Sequence, residues 1–335
     1  MKLAVFGYGY WGPNLVRNFM AVGQTVKYVV DSSPAQLQRV SKTYPSIITT
    51  TDADTAINDS EVDAIIIALP VRFHYELSKK ALLAGKHVMV EKPMTVTGDE
   101  ADDLIEIAMS KKLVLMPDHT FLYTGAVRKI KSLIDTGELG NMLYFDSVRV
   151  NLGLFQHDVN VLWDLAPHDI SILSYLFDEK PISVSATGKS HSESGIESIA
   201  YLTMHYQSNF IAHATASWIS PVKLRTVLIG GTKKMIVYDD IEPTEKVKVY
   251  DSGFEFKDAQ EHNKFRVDYR VGDIYIPKLE MTEALMGMAT DFVSAVESGG
   301  KHIPVSDMHL GALVVKTLEA AEKSIKKNGA EVTLA

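Results

Sequence analysis

Short apolar runs alternate with stretches of helical spacing over the first 116 residues. A continuous apolar run is typical of a strand buried on both faces, whereas apolar residues three or four apart are typical of an amphipathic helix. We predict strands at 2–6, 26–30, 62–68, 87–90 and 113–116, a short strand plus helix at 49–58, and helices at 15–20, 34–44, 73–84 and 97–111. Six strands joined by helices predict a doubly wound parallel sheet, in which ligands bind at the carboxyl ends of the strands.

From about residue 141 the pattern changes to strand-like runs with few helices between them. We predict strands at 142–151, 182–189, 196–206, 210–217, 225–229 and 234–238, and helices at 165–177, 282–298 and 308–327. The stretch 238–277 is polar and poorly periodic, so we predict excursions at the sheet edge. The predicted fold class is α/β: a parallel sheet at 1–120, then an α/β domain at 121–335 with a large, mostly antiparallel open sheet. The C-terminal helices are candidates for packing back on the first domain.

Composition narrows the class of protein. With 335 residues, 46% of them hydrophobic, the chain is long enough for two globular domains. The absence of cysteine excludes disulfides, thiolate catalysis and zinc–thiolate sites. The net charge of −8 argues against a nucleic-acid partner, and the apolar runs are too short to cross a membrane. A strand begins directly after Met1, so we expect no signal peptide and a cytoplasmic protein.

The strongest motif is Gly7-x-Gly9-x-x-Gly12, between the first strand and the first helix. In a dinucleotide-binding βαβ unit, the first glycine permits a tight turn, the second lets the backbone approach the pyrophosphate, and the third lets the helix pack against the strand. Asp31 ends the second strand, where its carboxylate can accept from the ribose 2′-hydroxyl and would repel a 2′-phosphate. We therefore predict NAD rather than NADP as the cofactor, the alternative being a bare structural turn.

Further cofactor contacts are expected beside this loop and at the later strand ends. Tyr10 and Trp11 either stack near the cofactor or only pack against the protein. Ser32 follows Asp31, with no arginine nearby that could hold a 2′-phosphate. The candidates at later strand ends are Leu69, Pro70, His74, Glu91, Lys92 and His119. For His74 and Glu91 a surface position is an alternative interpretation.

Lys92 ends a predicted buried strand and precedes Pro93. A cis bond at this position would turn the lysine toward the cofactor cleft. An ammonium group there can donate to a substrate hydroxyl or stabilise the alkoxide that develops during oxidation. The alternative is a lysine that extends from the strand end into water.

Asp164 and His168 are four residues apart and share one side at the start of a predicted helix. Histidine is the usual proton acceptor in alcohol oxidation, with a carboxylate to orient it. The structural alternatives are Asp164 as a helix N-cap, which Pro167 disfavours because it has no N–H, and His168 as an ordinary buried histidine. A metal site from Asp164, His168 and His157 is a further alternative, but we predict catalysis without a metal.

Three residues near this pair are candidate substrate contacts. Arg149 and Asn151 share one face of the strand at 142–151, and Trp163 directly precedes Asp164. For Arg149, a structural ion pair is an equally good interpretation.

Three motifs together, Gly7-x-Gly9-x-x-Gly12, Glu91-Lys92-Pro93 and Asp164-x-x-x-His168, resemble the glucose–fructose oxidoreductase / inositol dehydrogenase family (Gfo/Idh/MocA). The resemblance covers essentially the whole chain. It implies a Rossmann domain, a substrate-binding and oligomerisation domain, and a homodimer or homotetramer formed through the C-terminal sheet. It also implies hydride transfer between a sugar or cyclitol carbon and NAD(P), with Lys92 as catalytic lysine and His168 as the proton-transferring histidine beside Asp164.

The segments 149–155 and 158–168 carry a narrower resemblance, to the nucleotide-sugar branch of this family. That likeness implies oxidation of the 3-hydroxyl of UDP-N-acetylglucosamine or its uronic acid, for polysaccharide biosynthesis. Gln156 stands where a basic residue is expected, which favours the plain amino sugar, and Asp118 stands where glycine is expected. The alternatives are a dehydrogenase or ketoreductase of the same fold acting on inositol or another free polyol or sugar, and a non-catalytic NAD-binding sensor.

Overall fold

The computed structural model describes residues 1–153, 155–156, 158–193, 195–256 and 267–334. The chain forms two compact units, one of Met1–Thr124 and Thr282–Lys316, the other of Gly125–Met281 and Thr317–Ala335. The helices are α1 (Gly12–Ala21), α2 (Pro34–Thr43), α3 (Ala53–Ile57), α4 (His74–Leu83), α5 (Gly98–Lys111), α6 (Gly125–Asp135), α7 (Val161–Leu176), α8 (Ala284–Glu297) and α9 (Met308–Lys326). None of the helices in this described part of the chain is both long and apolar enough to span a membrane.

The first unit is built on a six-stranded sheet. Its strands are β1 (Lys2–Phe6), β2 (Thr25–Val30), β3 (Ile48–Thr50), β4 (Ala64–Ile67), β5 (His87–Glu91) and β6 (Leu115–Asp118). They lie in the order β3-β2-β1-β4-β5-β6, and every neighbouring pair is parallel. The predicted doubly wound parallel sheet is therefore confirmed. The strand order reverses between β1 and β4, which is the point where such sheets bind ligands.

The apolar runs of the central strands form the core of this unit. Leu3 and Val5 of β1 and Ile65 and Ile66 of β4 are fully buried. Burial of such a side chain contributes about 1.5–3 kcal/mol, which explains why these continuous runs occupy the middle of the sheet.

Local sequence sets the bounds of α5. The Thr97 side chain accepts from the backbone N–H of Glu100, whose carboxylate accepts from the backbone N–H of Thr97. This capping box satisfies two of the unpaired donors at the start of a helix. The helix ends before Lys112, which has a positive φ of 57°.

The strands of the second unit are β7 (Met142–Leu152), β8 (Ser183–Lys189), β9 (Ile199–His205), β10 (Ile211–Ser217), β11 (Ile219–Gly231), β12 (Met235–Asp239), β13 (Val247–Tyr250), β14 (Gly253–Phe256), β15 (Val267–Arg270), β16 (Ile274–Tyr275) and β17 (Val332–Thr333). Nine of them form one sheet in the order β16-β13-β12-β11-β7-β10-β9-β8-β17. Only β7 and β10 pair in parallel among its described ladders, so the predicted large, mostly antiparallel sheet is confirmed. A separate hairpin joins β14 and β15.

Two parts of this sheet differ from the sequence prediction. β11 begins at Ile219 rather than at residue 225, because its pairing with β7 continues across an irregularity between Ile219 and Leu224. The polar stretch 238–277 contributes the sheet strands β13 and β16, because Val247 and Val249 are buried beside β12. Their alternation spans only four residues and is hidden by polar neighbours in the sequence. Residues 257–266 lie outside the described residues.

Candidate functional site

Two of the three motif glycines are required by the protein's own backbone. Gly7 has a φ of +92°, and a Cβ there would lie 2.3 Å from the carbonyl oxygen of Ala68. A Cβ on Gly12 would lie 2.1 Å from the carbonyl oxygen of Gly7. These positions therefore need glycine for the turn and for the close approach of α1 to β1.

Gly9 has a different environment. A Cβ on Gly9 would meet no atom of the described residues within 4 Å, and Gly9 is not among the glycines with positive φ. Nothing in the described chain therefore demands glycine here, whereas a phosphate group approaching the backbone would. Tyr10, which is 84% exposed, and Trp11 pair edge to face beside this open position, with ring centroids 5.1 Å apart. Among the described residues, no side chain caps the N-terminus of α1, which begins at Gly12.

Asp31 lies just beyond the end of β2, and the backbone fixes its carboxylate. The N–H of Tyr8 donates to one oxygen and the N–H of Ser33 to the other, each over 2.7 Å. A carboxylate oxygen has more than one acceptor site, so each can still accept from a ribose hydroxyl. Ser32 beside it is exposed, and the nearby Arg39 donates to Gln36. The open glycine and the held carboxylate fit NAD.

His74 connects two strand ends of the same sheet. Its Nδ1 lies 2.8 Å from the carbonyl oxygen of Pro93, and its Nε2 lies 2.7 Å from that of Leu69. The ring is buried, and this burial lowers its pKa although the two carbonyls oppose the shift. His74 is therefore not the surface residue that was one sequence alternative. Pro70, which follows Leu69, is exposed.

Lys92 is half-buried at the end of β5, and the peptide bond to Pro93 is cis. Its ammonium group interacts electrostatically with the side chains of Glu91, Asp118 and His119. Burial raises the pKa of Glu91 well above its usual value, and Asp118 adds to the shift. Glu91 is therefore a buried group rather than a surface charge.

His119, one residue beyond the end of β6, is fully enclosed. Neither of its ring nitrogens has a hydrogen-bond partner within the described ranges. Burial lowers its pKa to about 3, and the positive charge of Lys92 contributes to the shift. The imidazole is therefore neutral near pH 7.

In the second unit, Asn160 rather than Asp164 caps α7. Its side-chain oxygen accepts from the N–H groups of Leu162 and Trp163, at 3.1 and 3.3 Å. Asp164 does not cap the helix, and its carboxylate accepts from the indole N–H of Trp218 at 2.9 Å. His168 is half-buried one turn further along the same helix.

Trp218 is a buried residue that the sequence did not single out. Its backbone N–H donates to the carbonyl of Ser198, and its own carbonyl accepts from the N–H of Gly153, both at 2.9 Å. A Cβ on Gly153 would lie 2.7 Å from the Trp218 ring. The ring that holds Asp164 is therefore fixed by backbone contacts, and no local sequence pattern indicates this pairing.

Arg149 and Trp163, two of the candidate substrate residues, have side-chain partners within the second unit. Arg149 is buried and binds Asp169 through two hydrogen bonds of 2.9 Å, which is the ion-pair alternative left open by the sequence. Trp163 is buried, and its indole N–H donates to Glu322 at 3.0 Å. Asn151 is half-buried on β7.

The alternative of a metal site depends on His157, which lies outside the described residues. Within the residues that are described, no group of three or more His, Cys, Asp or Glu side chains could hold a metal ion.

Two family models match the chain. The model described as "Oxidoreductase family, NAD-binding Rossmann fold" (GFO_IDH_MocA) matches residues 1–119. The "GFO/IDH/MocA C-terminal domain" matches residues 127–237. Together they cover more than two thirds of the chain.

Curated relatives match parts of the chain. An oxidoreductase of Schizosaccharomyces pombe is 39% identical over 104 residues, which is 31% of this chain and 28% of that relative. A UDP-N-acetylglucosamine 3-dehydrogenase of Acidithiobacillus ferrooxidans is 29% identical over 196 residues, or 56% of this chain and 58% of that relative. The chain thus aligns with less than two thirds of the length of either relative.

Solved structures share the fold over the full chain. The structure of the Acidithiobacillus ferrooxidans enzyme is 22% identical, with a TM-score of 0.80 and 98% of each chain covered. A levoglucosan dehydrogenase in complex with NADH and levoglucosan is 21% identical, with a TM-score of 0.83 and coverage of 100% of this chain and 99% of that one. At such identities the likeness establishes the fold alone.

Proposed function

Because the chain belongs to the GFO/IDH/MocA family of NAD-binding oxidoreductases, we propose that it oxidises the 3-hydroxyl of a nucleotide sugar, UDP-N-acetylglucosamine or its uronic acid. The observation that carries the catalytic part of the proposal is the Asp164–His168 pair on α7, whose carboxylate is held by Trp218 instead of serving as a helix cap. A sensor that only bound NAD would have no use for this arrangement.

The first unit would hold the cofactor. Gly9 leaves the loop open to the pyrophosphate, and the uncapped N-terminus of α1 offers N–H groups and a positive dipole end. Asp31 would accept from the adenosine ribose. When bound, NAD supplies the acceptor for the hydride that leaves the alcohol carbon.

The chain's own residues would handle the proton and the developing charge. His168 takes the proton of the substrate hydroxyl, because a neutral imidazole is a good base near neutral pH. Asp164 orients His168 and favours the imidazolium that forms. Lys92 donates a hydrogen bond to the alcohol oxygen as negative charge develops there.

One observation supports a nucleotide sugar as the substrate, and a second favours the amino sugar over the uronate. The alignment with the UDP-N-acetylglucosamine 3-dehydrogenase covers 56% of the length of this chain. Gln156 stands where the nucleotide-sugar branch is expected to carry a basic residue. A neutral amide does not pair with a carboxylate as a cation does, so the plain amino sugar is favoured over the uronate.

We also propose that the large sheet of the second unit supports a homodimer or homotetramer. Tyr201 of β9 and Ile211 of β10 are exposed apolar residues of this sheet. Light scattering coupled to size-exclusion chromatography tests the proposal, and a monomer at micromolar concentration would contradict it.

The proposed reaction is tested by following reduced-nicotinamide absorbance. Purified protein and NAD are mixed with UDP-N-acetylglucosamine, its uronic acid or myo-inositol, and a 2-oxoacid is added as hydride acceptor if cofactor copurifies. A signal with a UDP-sugar is expected. A signal with inositol alone would contradict the nucleotide-sugar assignment, and silence with every substrate while NAD binds would contradict catalysis of this class.

A further inference from the structure

Two buried carboxyl groups face each other at the ends of β5 and β6. Glu91 and Asp118 are direct partners in the parallel register of these strands. Directly paired residues on neighbouring strands point to the same face of a sheet, so the two side chains are adjacent. Glu91 is 8% exposed and Asp118 is 2% exposed, so both carboxyl groups are removed from bulk water.

One carboxyl oxygen of Asp118 lacks a donor among the described residues. One oxygen of Asp118 accepts from the hydroxyl of Thr120. The other oxygen, Oδ2, is buried and has no donor among the described residues, although the Glu91 carboxyl group is within hydrogen-bonding reach of Asp118. A proton between the carboxyl groups would provide the missing donor and remove the repulsion between two buried like charges.

We propose that Glu91 and Asp118 share one proton and together act as a singly charged pair that holds the ammonium group of Lys92 in place. The pair is a positioning element, since neither carboxyl group is assigned contact with the reacting atoms. This role rests on the function proposed for Lys92 above, whereas the shared proton does not.

The surrounding groups are consistent with a single shared proton. Burial raises the pKa of both carboxyl groups, and the Thr120 hydroxyl opposes the shift at Asp118, which favours Glu91 as the protonated member. Three other titratable groups lie close to the pair or to Lys92. Burial lowers the pKa values of His74 and His119. Burial raises the pKa of Tyr123, whose hydroxyl donates to Asp291. The histidines and the tyrosine are neutral near pH 7, so the facing positive charge comes from Lys92.

Native isoelectric focusing can count the charge on the pair. The Glu91→Gln variant should focus with the wild type. The wild-type pair already holds one proton and carries one negative charge, and the variant keeps that one charge on Asp118. The Glu91→Gln/Asp118→Asn double variant should shift by one charge, as far as the control Asp99→Asn, which changes an exposed carboxylate on α5. A one-charge shift in Glu91→Gln alone would overturn the proposal, and so would a double variant that focuses with the wild type.

A measurement on the unmodified protein guards against misfolded variants. In protein labelled with ¹³C at glutamate and aspartate carboxyl groups, one carboxyl signal of the pair should keep the shift of a protonated acid at pH 7. The signals are assigned from the two single variants. Two carboxylate shifts at that pH would overturn the shared proton.

The positioning role is tested by the pH dependence of kcat/KM. Without the pair's negative charge, the ammonium of Lys92 loses a neighbour that stabilises its charged form. The basic limb of the profile should then move to lower pH by about 1 unit in the double variant. Glu91→Gln, which keeps the charge on Asp118, should retain the wild-type limb. An unmoved limb in the double variant would overturn the positioning role, whereas absence of turnover in the wild type would overturn the proposed reaction and leave the focusing result to decide the proton.

Discussion

Gly9 and Gly12 offer a matched pair of substitutions that separate cofactor binding from folding. Gly9 lies in the turn between β1 and α1, Gly12 is the first residue of α1, and alanine adds one methyl group at either position. In the part of the chain that the structure describes, the methyl group at residue 9 would meet no atom within 4 Å, whereas at residue 12 it would lie 2.1 Å from the carbonyl oxygen of Gly7. Gly9→Ala should therefore affect the ligand, and Gly12→Ala should affect the fold.

The expected magnitudes follow from these surroundings. Gly9 has no positive φ, so alanine should leave the free energy of unfolding unchanged or raise it by about 0.4–1 kcal/mol through the unfolded chain. The same methyl group would hold the pyrophosphate away from backbone N–H groups, and the loss of one hydrogen bond to a charged group is about 1.5–3 kcal/mol. That loss corresponds to roughly 10- to 150-fold weaker NAD binding. Gly12→Ala should lower the free energy of unfolding by about 1–3 kcal/mol, because its oxygen neighbour is backbone.

The assay combines urea unfolding, read by circular dichroism, with NADH titration followed by fluorescence. Gly9→Ala should unfold at the wild-type urea concentration or above and bind NADH more weakly. Gly12→Ala should unfold at a lower urea concentration. If Gly9→Ala binds NADH as tightly as the wild type, this loop is not the pyrophosphate cradle and the placement of the pyrophosphate at Gly9 is refuted.

Three further predictions concern catalysis and stability. Lys92→Ala and His168→Ala should each retain NADH binding in the same titration and lose about 10²- to 10⁴-fold in turnover, so that full turnover in either would remove its assigned role. Trp218→Phe keeps the packing but removes the hydrogen-bond donor to Asp164. We expect kcat to fall by about 10- to 100-fold while the Kd for NADH stays unchanged. An unchanged kcat would exclude a positioning role for Trp218. The pKa of His119 is about 3 in the folded state and about 6.5 in the unfolded state, so the unfolded state binds more protons as the pH falls. In urea unfolding, the wild type should therefore lose about 2 kcal/mol of stability between pH 7 and 5 relative to His119→Gln. Parallel pH dependences of the two proteins would contradict this.

The first unit could be predicted closely because its signals are local. Each buried strand is one continuous apolar run, and the glycine motif lies at the first turn between strand and helix. The roles of Gly7 and Gly12 in backbone packing follow from the same motif. In the second unit β13 and β16 were missed, because a strand of two to four residues in a polar stretch has too few positions to show a period.

The partners of the site residues could not be predicted, because they are distant along the chain. Trp218 is 54 residues from Asp164, and Arg149 finds Asp169 only because β7 and α7 pack together. The pairing of Glu91 with Asp118 depends on the register of two strands separated by a helix. Such contacts follow from tertiary packing, and residue type alone left the ion pair at Arg149 and a substrate contact equally open.

The central claim, oxidation at the sugar 3-hydroxyl, is tested most directly by isotope transfer. UDP-N-acetylglucosamine carrying deuterium at C3 is incubated with the protein and NAD, and the mass of the reduced cofactor is measured. We predict NADH heavier by one deuterium with the C3 label and unlabelled NADH when the deuterium is at C4. Unlabelled NADH from the C3-labelled sugar, or label transferred from C4, would contradict the proposed reaction.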